Sequence, residues 1–378
     1  MEHVQSPDHL ASGLLTEELL ERFRSRAPGY DRDNVFFSDD FDELTTLGYL
    51  APRPLGQMVA DQRILARYAP ATALGVGMHL TWVGVAHNLV ASGDDSLQWV
   101  LDDAQAGEVF AFGVSEAGND RVLTDSVTAV SETPQGYSFT GTKIFTSLSP
   151  VWTRLSVLGR QGDSIVHGFI TRDQEGWSNT PDWNTLGMRA TQSYTTHLDG
   201  VVVAPERLAR ILPAHHSADP FVMAIFKNFL LLISSVYVGI GDRALELAIE
   251  RVGQRKSLAR EGASYATDPD IRWQVADMGI RQDGLSAPLH TLAHDVDNGV
   301  DHGPRWGALL SGVKHRSVET ARWMVDRALR LSGGRGFHAE SEISRLQRDV
   351  LAGVYHPSDT EAIHQSVAYW LLGDPSGK

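Results

Sequence analysis

Residues 332–365 read SGGRGFHAESEISRLQRDVLAGVYHPSDTEAIHQ, and the rest of the chain is organised around this segment. A helical pattern ends at a glycine cluster that begins at Gly333, a second helix carries Arg348, and a loop at His356 opens a third helix. Glycines between helices let the backbone approach a ligand closely, and a helix start presents free N–H groups to ligand oxygens. We therefore expect a cofactor to bind here.

Composition limits the kinds of partner that the protein can have. The chain has 378 residues, with 33 basic and 47 acidic side chains and a net charge of −14. This charge argues against nucleic acid or an anionic membrane as the main partner. The absence of cysteine excludes thiol nucleophiles and Cys-based metal sites, and it fits a cytoplasmic location. Lys227 and Asn228 interrupt the apolar run of residues 221–241, which favours a buried core helix over a membrane span.

The hydrophobic pattern divides the chain into three parts. Residues 1–107 show helical periodicity. Residues 108–205 contain short β-branched and aromatic segments between turn residues, which is typical of an antiparallel sheet or barrel. Helical periodicity returns in residues 206–378, where long helices joined by short turns favour an antiparallel bundle.

Two local patterns imitate functional sites. The run Gly239-Ile-Gly241-Asp-Arg-Ala matches the dinucleotide pattern G-x-G-x-x-A, but it lies in an apolar run too long for a strand. We predict that these glycines serve close helix packing. His290 and His294 share a helix face, as metal ligands do, yet no third ligand is spaced nearby, so we predict solvated histidines.

Several motifs together resemble those of the acyl-CoA dehydrogenase family. They occur in the family's order and cover essentially the whole chain: FAFGVSEAGND at 110–120, GTKIFTS at 141–147, LGMR at 186–189, GGRGF at 333–337 and RD at 348–349. The resemblance implies an α+β fold with an N-terminal helical domain (1–107), a central antiparallel β-barrel (108–205) and a C-terminal four-helix bundle (206–378). It also implies FAD at the junction of barrel and bundle, and a homodimer or homotetramer.

The motifs assign flavin-contacting residues by position. Phe112, Val114 and Ser115 would line the flavin, with Ser115 hydrogen-bonding its pyrimidine edge. Phe145 and Ser147 would pack against the isoalloxazine ring and hydrogen-bond it. Phe112 and Phe145 remain open to a second interpretation as core aromatics.

A second group would bind the far end of the cofactor. Arg255 would reach the pyrophosphate across a dimer, or it is a solvated helix residue, and Gly333 and Gly334 would receive the neighbour's adenylate phosphate. Leu258 stands where many family members have a phenylalanine near the adenine. FMN, or a transiently bound reduced flavin, therefore remains an alternative to FAD as the cofactor.

The sequence departs from the family at the catalytic base. Family dehydrogenases remove the α-proton of an acyl thioester with a glutamate while the flavin accepts the β-hydride. The two positions that hold this glutamate correspond here to Pro357 and Phe229, neither of them a carboxylate. His356 and Asp359 are the nearest candidates for a catalytic role.

Three functions follow from these residues. We place α,β-desaturation of an acyl thioester first, with electrons passing to a separate acceptor, because the barrel and glycine motifs are closer to the dehydrogenase pattern. The second is a two-component monooxygenase that receives reduced flavin from a reductase and uses O2, with His356, Ser147 and either His79 or His87 at its centre. For His79 and His87 we favour core histidines. The third is a non-catalytic flavoprotein or interaction module.

Overall fold

The computed structural model describes residues 8–215 and 219–373. Helices come first, strands second and helices again last, in the predicted order. The first set of helices is α1 Glu17–Asp33, α2 Ser38–Thr46, α3 Leu55–Tyr68, α4 Pro70–Ala91 and α5 Gln98–Gln105. The Thr16 hydroxyl accepts a hydrogen bond from Leu19 N–H at 3.3 Å and so caps α1.

The central part is a single mixed sheet. Its strands are β1 Phe110–Gly113, β2 Ala129–Thr133, β3 Gly136–Thr146, β4 Arg154–Gln161, β5 Ser164–Thr171, β6 Trp177–Thr180, β7 Tyr194–Val203 and β8 Leu208–Pro213. They lie in the order β6-β7-β3-β2-β4-β5-β8, and β1 pairs with β4 in parallel. The sheet therefore extends past residue 205 to Pro213.

The prediction of a closed antiparallel barrel is wrong. Among the described strands, β6 pairs with β7 alone and β8 with β5 alone, so the sheet keeps two edges. Closure would require these two outer strands to pair with each other. Alternating side chains and turns indicate strands, but they contain no information on whether the first and last strands meet.

The C-terminal part is built on three long helices. These are α6 Pro220–Gln254, α7 Pro269–Asp297 and α8 Arg305–Ser332, followed by the shorter α9 Glu342–Asp349 and α10 Thr360–Leu372. A separate four-helix bundle, as the resemblance implied, is not seen in the described residues. Helix α6 is apolar on nearly all sides, so it packs on α3 and α4 as well as on α7 and α8.

Helix α6 is a core helix. Among the described helices, α6 has the length and apolar character to cross a bilayer. However, 83% of its most apolar segment is buried within the protein. A Cβ atom added at Gly239 would lie 2.3 Å from the Arg63 carbonyl oxygen on α3. The predicted use of Gly239 and Gly241 in close helix packing is therefore confirmed.

The prediction of a solvated His290 is wrong. Its ring is 8% exposed and lies 3.4 Å from the Arg63 guanidinium. Arg63 also donates two hydrogen bonds to the Asp242 carboxylate on α6, at 2.6 and 2.9 Å. His290 thus belongs to a buried polar cluster between α3, α6 and α7, which helix periodicity alone could not reveal.

Candidate active site

The loop after β1 is fixed to the sheet by a buried ion pair. Lys143 Nζ on β3 donates to Glu116 Oε1 at 2.7 Å, and neither side chain is exposed. The same carboxylate accepts hydrogen bonds from the hydroxyls of Ser126 and Thr128, at 2.7 and 2.6 Å. Burial opposes the ionisation of Glu116, but Lys143 and these hydroxyls outweigh it and lower its pKa to about 2. The carboxylate is therefore charged and its loop is firmly held.

This anchor places Ser115 beside the end of β3. The Ser115 carbonyl oxygen accepts a hydrogen bond from Ile144 N–H at 2.9 Å. Phe145 follows directly, with φ of 60°, a value that non-glycine residues rarely adopt. Its side chain is 53% exposed and meets Trp183 edge-to-face, with ring centroids 6.0 Å apart. An exposed aromatic residue on strained backbone indicates a surface built for a ligand.

A chain of hydroxyl groups lies next to Phe145. Ser147 Oγ is 2.8 Å from Ser193 Oγ, which is 2.8 Å from Thr191 Oγ1. Thr191 Oγ1 donates to the Met188 carbonyl oxygen at 2.9 Å. The structure therefore places Ser115, Phe145 and Ser147, three of the residues predicted to contact the flavin, on adjoining segments.

The loop that carries Met188 is tied to α9. Met188 N–H donates to Asp349 Oδ1 at 2.6 Å. Burial raises the pKa of Asp349 to about 6. Arg348 pairs with Asp31 on α1 and also donates to the Leu186 carbonyl oxygen at 3.2 Å. These contacts give the Arg-Asp motif a role in holding the loop that ends the hydroxyl chain.

Phe112 and Val114 lie in the hydrophobic core. Phe112 is 8% exposed, and its ring stacks on that of Phe229 at 5.4 Å with an interplanar angle of 13°. Trp82 of α4 lies 5.4 Å away on another side. The core interpretation of Phe112 thus accounts for its contacts, and Val114 is buried with it.

His356 is half-buried. Its Nε2 atom is buried without a hydrogen-bond partner, and its ring centroid lies 5.9 Å from that of Tyr237 on α6. The Tyr237 hydroxyl is likewise buried without a partner. Burial, together with the nearby Lys314 ammonium, lowers the pKa of His356 to about 3, so its imidazole is neutral. Lys314 Nζ fixes the loop by donating to the carbonyl oxygens of Gly353, His356 and Ser358.

Asp359 is exposed and caps a helix. Its Oδ1 atom accepts a hydrogen bond from Ala362 N–H at 2.8 Å at the start of α10. This contact is the ordinary role of aspartate at a helix N-cap. His79 has a structural role as well, because Nε2 lies 2.9 Å from the Leu50 carbonyl oxygen and Nδ1 accepts from Phe110 N–H at 3.0 Å. His87 is half-buried, and its Nδ1 has no partner.

The residues predicted for the far end of the cofactor form a separate cleft. Arg255 Nη1 donates to the Leu331 carbonyl oxygen at 2.7 Å, and Gly333 has φ of 63° beside the Arg255 guanidinium. The cleft has a volume of about 430 Å³, and Gly334 and two further arginines, Arg251 and Arg335, also line it. Three guanidinium groups around a glycine turn suit a phosphate.

These residues fit a flavin. Phe145 and Trp183 offer an exposed aromatic surface for a flat ring, Ser147 offers a hydroxyl at its edge, and the arginine cleft offers charge for a phosphate. Glu116, Lys143, Ser193 and Tyr237 were not singled out in the sequence. Glu116 and Lys143 lie within the quoted motifs. Their opposite charges, in a part of the sequence predicted to form strands, were the one available signal for the ion pair.

Known proteins resemble this chain over nearly its whole length. Residues 220–354 match the family model described as acyl-CoA dehydrogenase, C-terminal domain. The chain is 24% identical over 373 residues to the putative acyl-CoA dehydrogenase YdbM of Bacillus subtilis, which covers 93% of both proteins. It is 26% identical over 394 residues to the dibenzothiophene monooxygenase of Mycolicibacterium goodii, covering 94% of this chain and 90% of that protein.

A solved structure shares this fold. FMN-bound TdsC from Paenibacillus sp. A11-2 superimposes with a TM-score of 0.83 at 21% identity, covering 94% of this chain and 95% of that chain. The predicted acyl-CoA dehydrogenase-like fold is confirmed. Its two corrected features are the open sheet and the four-helix bundle, which the described residues do not show.

Proposed function

Because this chain is a member of the acyl-CoA dehydrogenase superfamily, which includes flavin monooxygenases of the same fold, we propose that it is a two-component flavin-dependent monooxygenase. It would take reduced flavin from a separate reductase and use O2 to oxidise a small molecule. The observation that carries the proposal is the lack of a competent base where a dehydrogenase needs one.

Desaturation requires a base matched to a weakly acidic α-proton. Phe229 holds one base position and stacks on Phe112. Pro357 holds the other, and its neighbour His356 has a pKa of about 3, far below that of an effective base at neutral pH. Asp359 is engaged as a helix cap. These observations reverse the order of preference that the sequence motifs gave.

Monooxygenation makes different demands on the protein. Bound reduced flavin would supply the electrons that activate O2. Phe145 and Trp183 would hold the ring, and Ser115 and Ser147 would hydrogen-bond its edge. Neutral His356 keeps one ring nitrogen, Nε2, unpaired for a hydrogen bond to substrate or oxygen. The stacked rings of Phe112 and Phe229 would help to exclude water from the site.

FMN suits the site better than FAD. Leu258, in place of an adenine-stacking phenylalanine, is 97% exposed and offers no aromatic face.

Exposed apolar side chains on α7, Trp273 and Ile280, favour association with a second copy of the chain. A homo-oligomer of this kind would allow the Arg255 cleft of one subunit to serve its neighbour's flavin.

The test has an anaerobic arm and an aerobic arm. Without O2, FMN-loaded protein is mixed with acyl-CoA thioesters of short to long chain, and the absorbance of oxidised flavin should not change. The protein with reduced FMN is then mixed with O2 in a stopped-flow instrument. We expect a transient absorbance that differs from both oxidised and reduced FMN, whereas free FMN reoxidises without it.

The outcomes separate the three functions. Bleaching by any thioester would restore desaturation, for which the likeness to YdbM stands as the supporting observation. Failure to bind either form of FMN would favour the non-catalytic alternative. Phe145→Gly should weaken FMN binding while leaving the fold intact, and Val127→Ala, which changes an exposed residue elsewhere in the β region, is its matched control.

A further inference from the structure

One buried ammonium group holds the loop that carries His356. Lys314 on α8 is 2% exposed, and its Nζ atom donates hydrogen bonds to three backbone carbonyl oxygens. These are the carbonyls of Gly353 at 3.0 Å, His356 at 3.0 Å and Ser358 at 2.6 Å. A lysine ammonium has three hydrogens, so each carbonyl can take one of them. The hold on residues 353–358 is therefore complete only while the ammonium keeps all three hydrogens.

The loss of one hydrogen from Lys314 would change this arrangement in a defined way. The neutral amine has two hydrogens and one lone pair, so one of the three carbonyls must lose its donor. A buried carbonyl without a donor is costly, and hydrogen bonds from a charged donor are stronger than those from a neutral one. Deprotonation would thus release one carbonyl and weaken the other two contacts.

The loop is packed closely against its neighbours. A Cβ atom added at Gly353 would lie 2.8 Å from Tyr237 Cζ on α6 and 2.8 Å from Val318 Cγ1 on α8. The centroid of the His356 ring lies 5.9 Å from that of the Tyr237 ring. Because the loop backbone and the imidazole both meet α6, a shift of the Gly353 or His356 carbonyl would also move the imidazole.

The charges around Lys314 single out this residue at alkaline pH. Burial lowers the pKa of Lys314 to about 8, although the carboxylates of Asp359 and Glu319 raise it. The titratable groups around the ammonium are Glu319 and His315 on α8, Asp359 at the start of α10, His356 in the loop and Tyr237 on α6. Burial lowers the pKa of both histidines and raises the pKa of Tyr237 well above its ordinary value. Of these groups, Lys314 is therefore the one whose charge changes between pH 7 and pH 9.5.

We propose that Lys314 is a positioning residue: its charged ammonium holds the His356 imidazole in its working position, and the loop loosens when the ammonium loses a hydrogen. The inference rests on the proposed function, since it takes His356 Nε2 to form a hydrogen bond with substrate or oxygen. Lys314 would act through the loop and not on the reacting atoms. The proposed reaction would then fail at alkaline pH while FMN stays bound.

The first measurement follows the loop without any reaction. Hydrogen–deuterium exchange of the wild type, with FMN present, is recorded at pH 7 and pH 9.5, and each rate is compared with that of the unfolded chain at the same pH. Protection of residues 353–358 should fall about tenfold or more at the higher pH, the order of one hydrogen bond to a charged group. Protection of α9, Glu342–Asp349, should not change, which distinguishes a loosened loop from general unfolding in alkali.

The second measurement follows the reaction of reduced FMN with O2 on the protein. The transient absorbance should decay several-fold faster at pH 9.5 than at pH 7, with a midpoint near pH 8, because the His356 hydrogen bond is lost. Lys314→Met has a side chain of similar length but no ammonium. In this variant the loop should be weakly protected and the decay fast at both pH values.

Lys227→Met is the matched control. Lys227 is a half-buried lysine on α6, and burial lowers its pKa as well. Its Nζ atom lies over the Trp306 ring, 4.4 Å from the centroid, and not against the loop. Lys227→Met should therefore follow the wild type in loop protection and in decay rate at both pH values.

Each outcome bears on one step of the proposal. Unchanged protection of the wild-type loop at pH 9.5 would overturn the role of the ammonium, whether or not Lys314→Met folds. A loosened loop with an unchanged decay rate would show a merely structural contact and would overturn the positioning role. Absence of any transient at either pH would overturn the proposed function, whereas the exchange of the loop would still decide whether the ammonium holds it.

Discussion

The backbone of Gly187 lies directly against the carbonyl group of Arg348. A Cβ atom added at position 187 would stand 2.2 Å from the Arg348 carbonyl oxygen, far inside any permitted contact. The loop before β7 and helix α9 thus meet backbone to backbone. The Leu-Gly-Met-Arg and Arg-Asp segments are therefore in direct contact.

Gly187→Ala should separate this contact. We expect the free energy of unfolding to fall by about 3 kcal/mol, because overpacked sites relax by moving backbone. Chemical denaturation measures the change. Gly334→Ala is the matched control, since a Cβ atom at that motif glycine meets nothing within 4 Å, and its stability should be unchanged. Equal losses for the two variants would contradict this account.

Lys143→Met should strongly destabilise the central sheet. The substitution leaves the buried Glu116 carboxylate without its counter-ion, and breaking such a pair costs about 3–5 kcal/mol. The double variant Glu116→Gln with Lys143→Met should lose less than the sum of the single variants, because no unpaired charge remains.

The control for Lys143 is an exposed ion pair. Arg330→Met removes the partner of Asp326 on the solvent side of α8, and we expect no measurable change in stability. Additive effects of Glu116→Gln and Lys143→Met would show that the buried charges do not depend on each other.

Local pattern was sufficient for the helices. Residues 221–241 were predicted to form a buried core helix, and they lie within α6, Pro220–Gln254, because a long apolar run and a proline at the first turn are local signals. The open edges of the sheet could not be predicted in this way. They depend on which strands pair, and β1 and β2 each pair in parallel with β4.

The candidate site was predictable only in part. The motifs identified Ser115, Phe145 and Ser147. They did not identify Ser193, which lies 46 residues from Ser147 in sequence and 2.8 Å away in space. Such a contact follows from the register of β3 and β7, which side-chain alternation does not determine.

Asp349 should make stability depend on pH. Burial raises the pKa of its carboxyl to about 6, above an unfolded value of about 3.9. The folded state then binds the proton more tightly, so this group contributes most below pH 4 and its contribution declines as pH rises to 7. As the pH rises from 4 to 7, the free energy of unfolding of Asp349→Asn should therefore increase by about 3 kcal/mol relative to that of the wild type, since two pKa units correspond to that amount.

Denaturation at a series of pH values tests the Asp349 prediction. Asp326→Asn, which changes an exposed carboxylate on α8, should follow the wild-type profile at every pH. Parallel profiles for the wild type and Asp349→Asn would contradict the raised pKa.

His356 should remain neutral across the physiological range. Burial and the Lys314 ammonium lower its pKa to about 3, so its NMR ring signals, assigned by their loss in His356→Gln, should stay constant from pH 5 to 8. The protein unfolded in urea provides the reference, since its histidines titrate near 6.5. A folded-state midpoint near that value would restore His356 as a base.

His356→Ala should reduce turnover by about 100-fold, which is the scale of a lost catalytic hydrogen bond, while FMN affinity is unchanged.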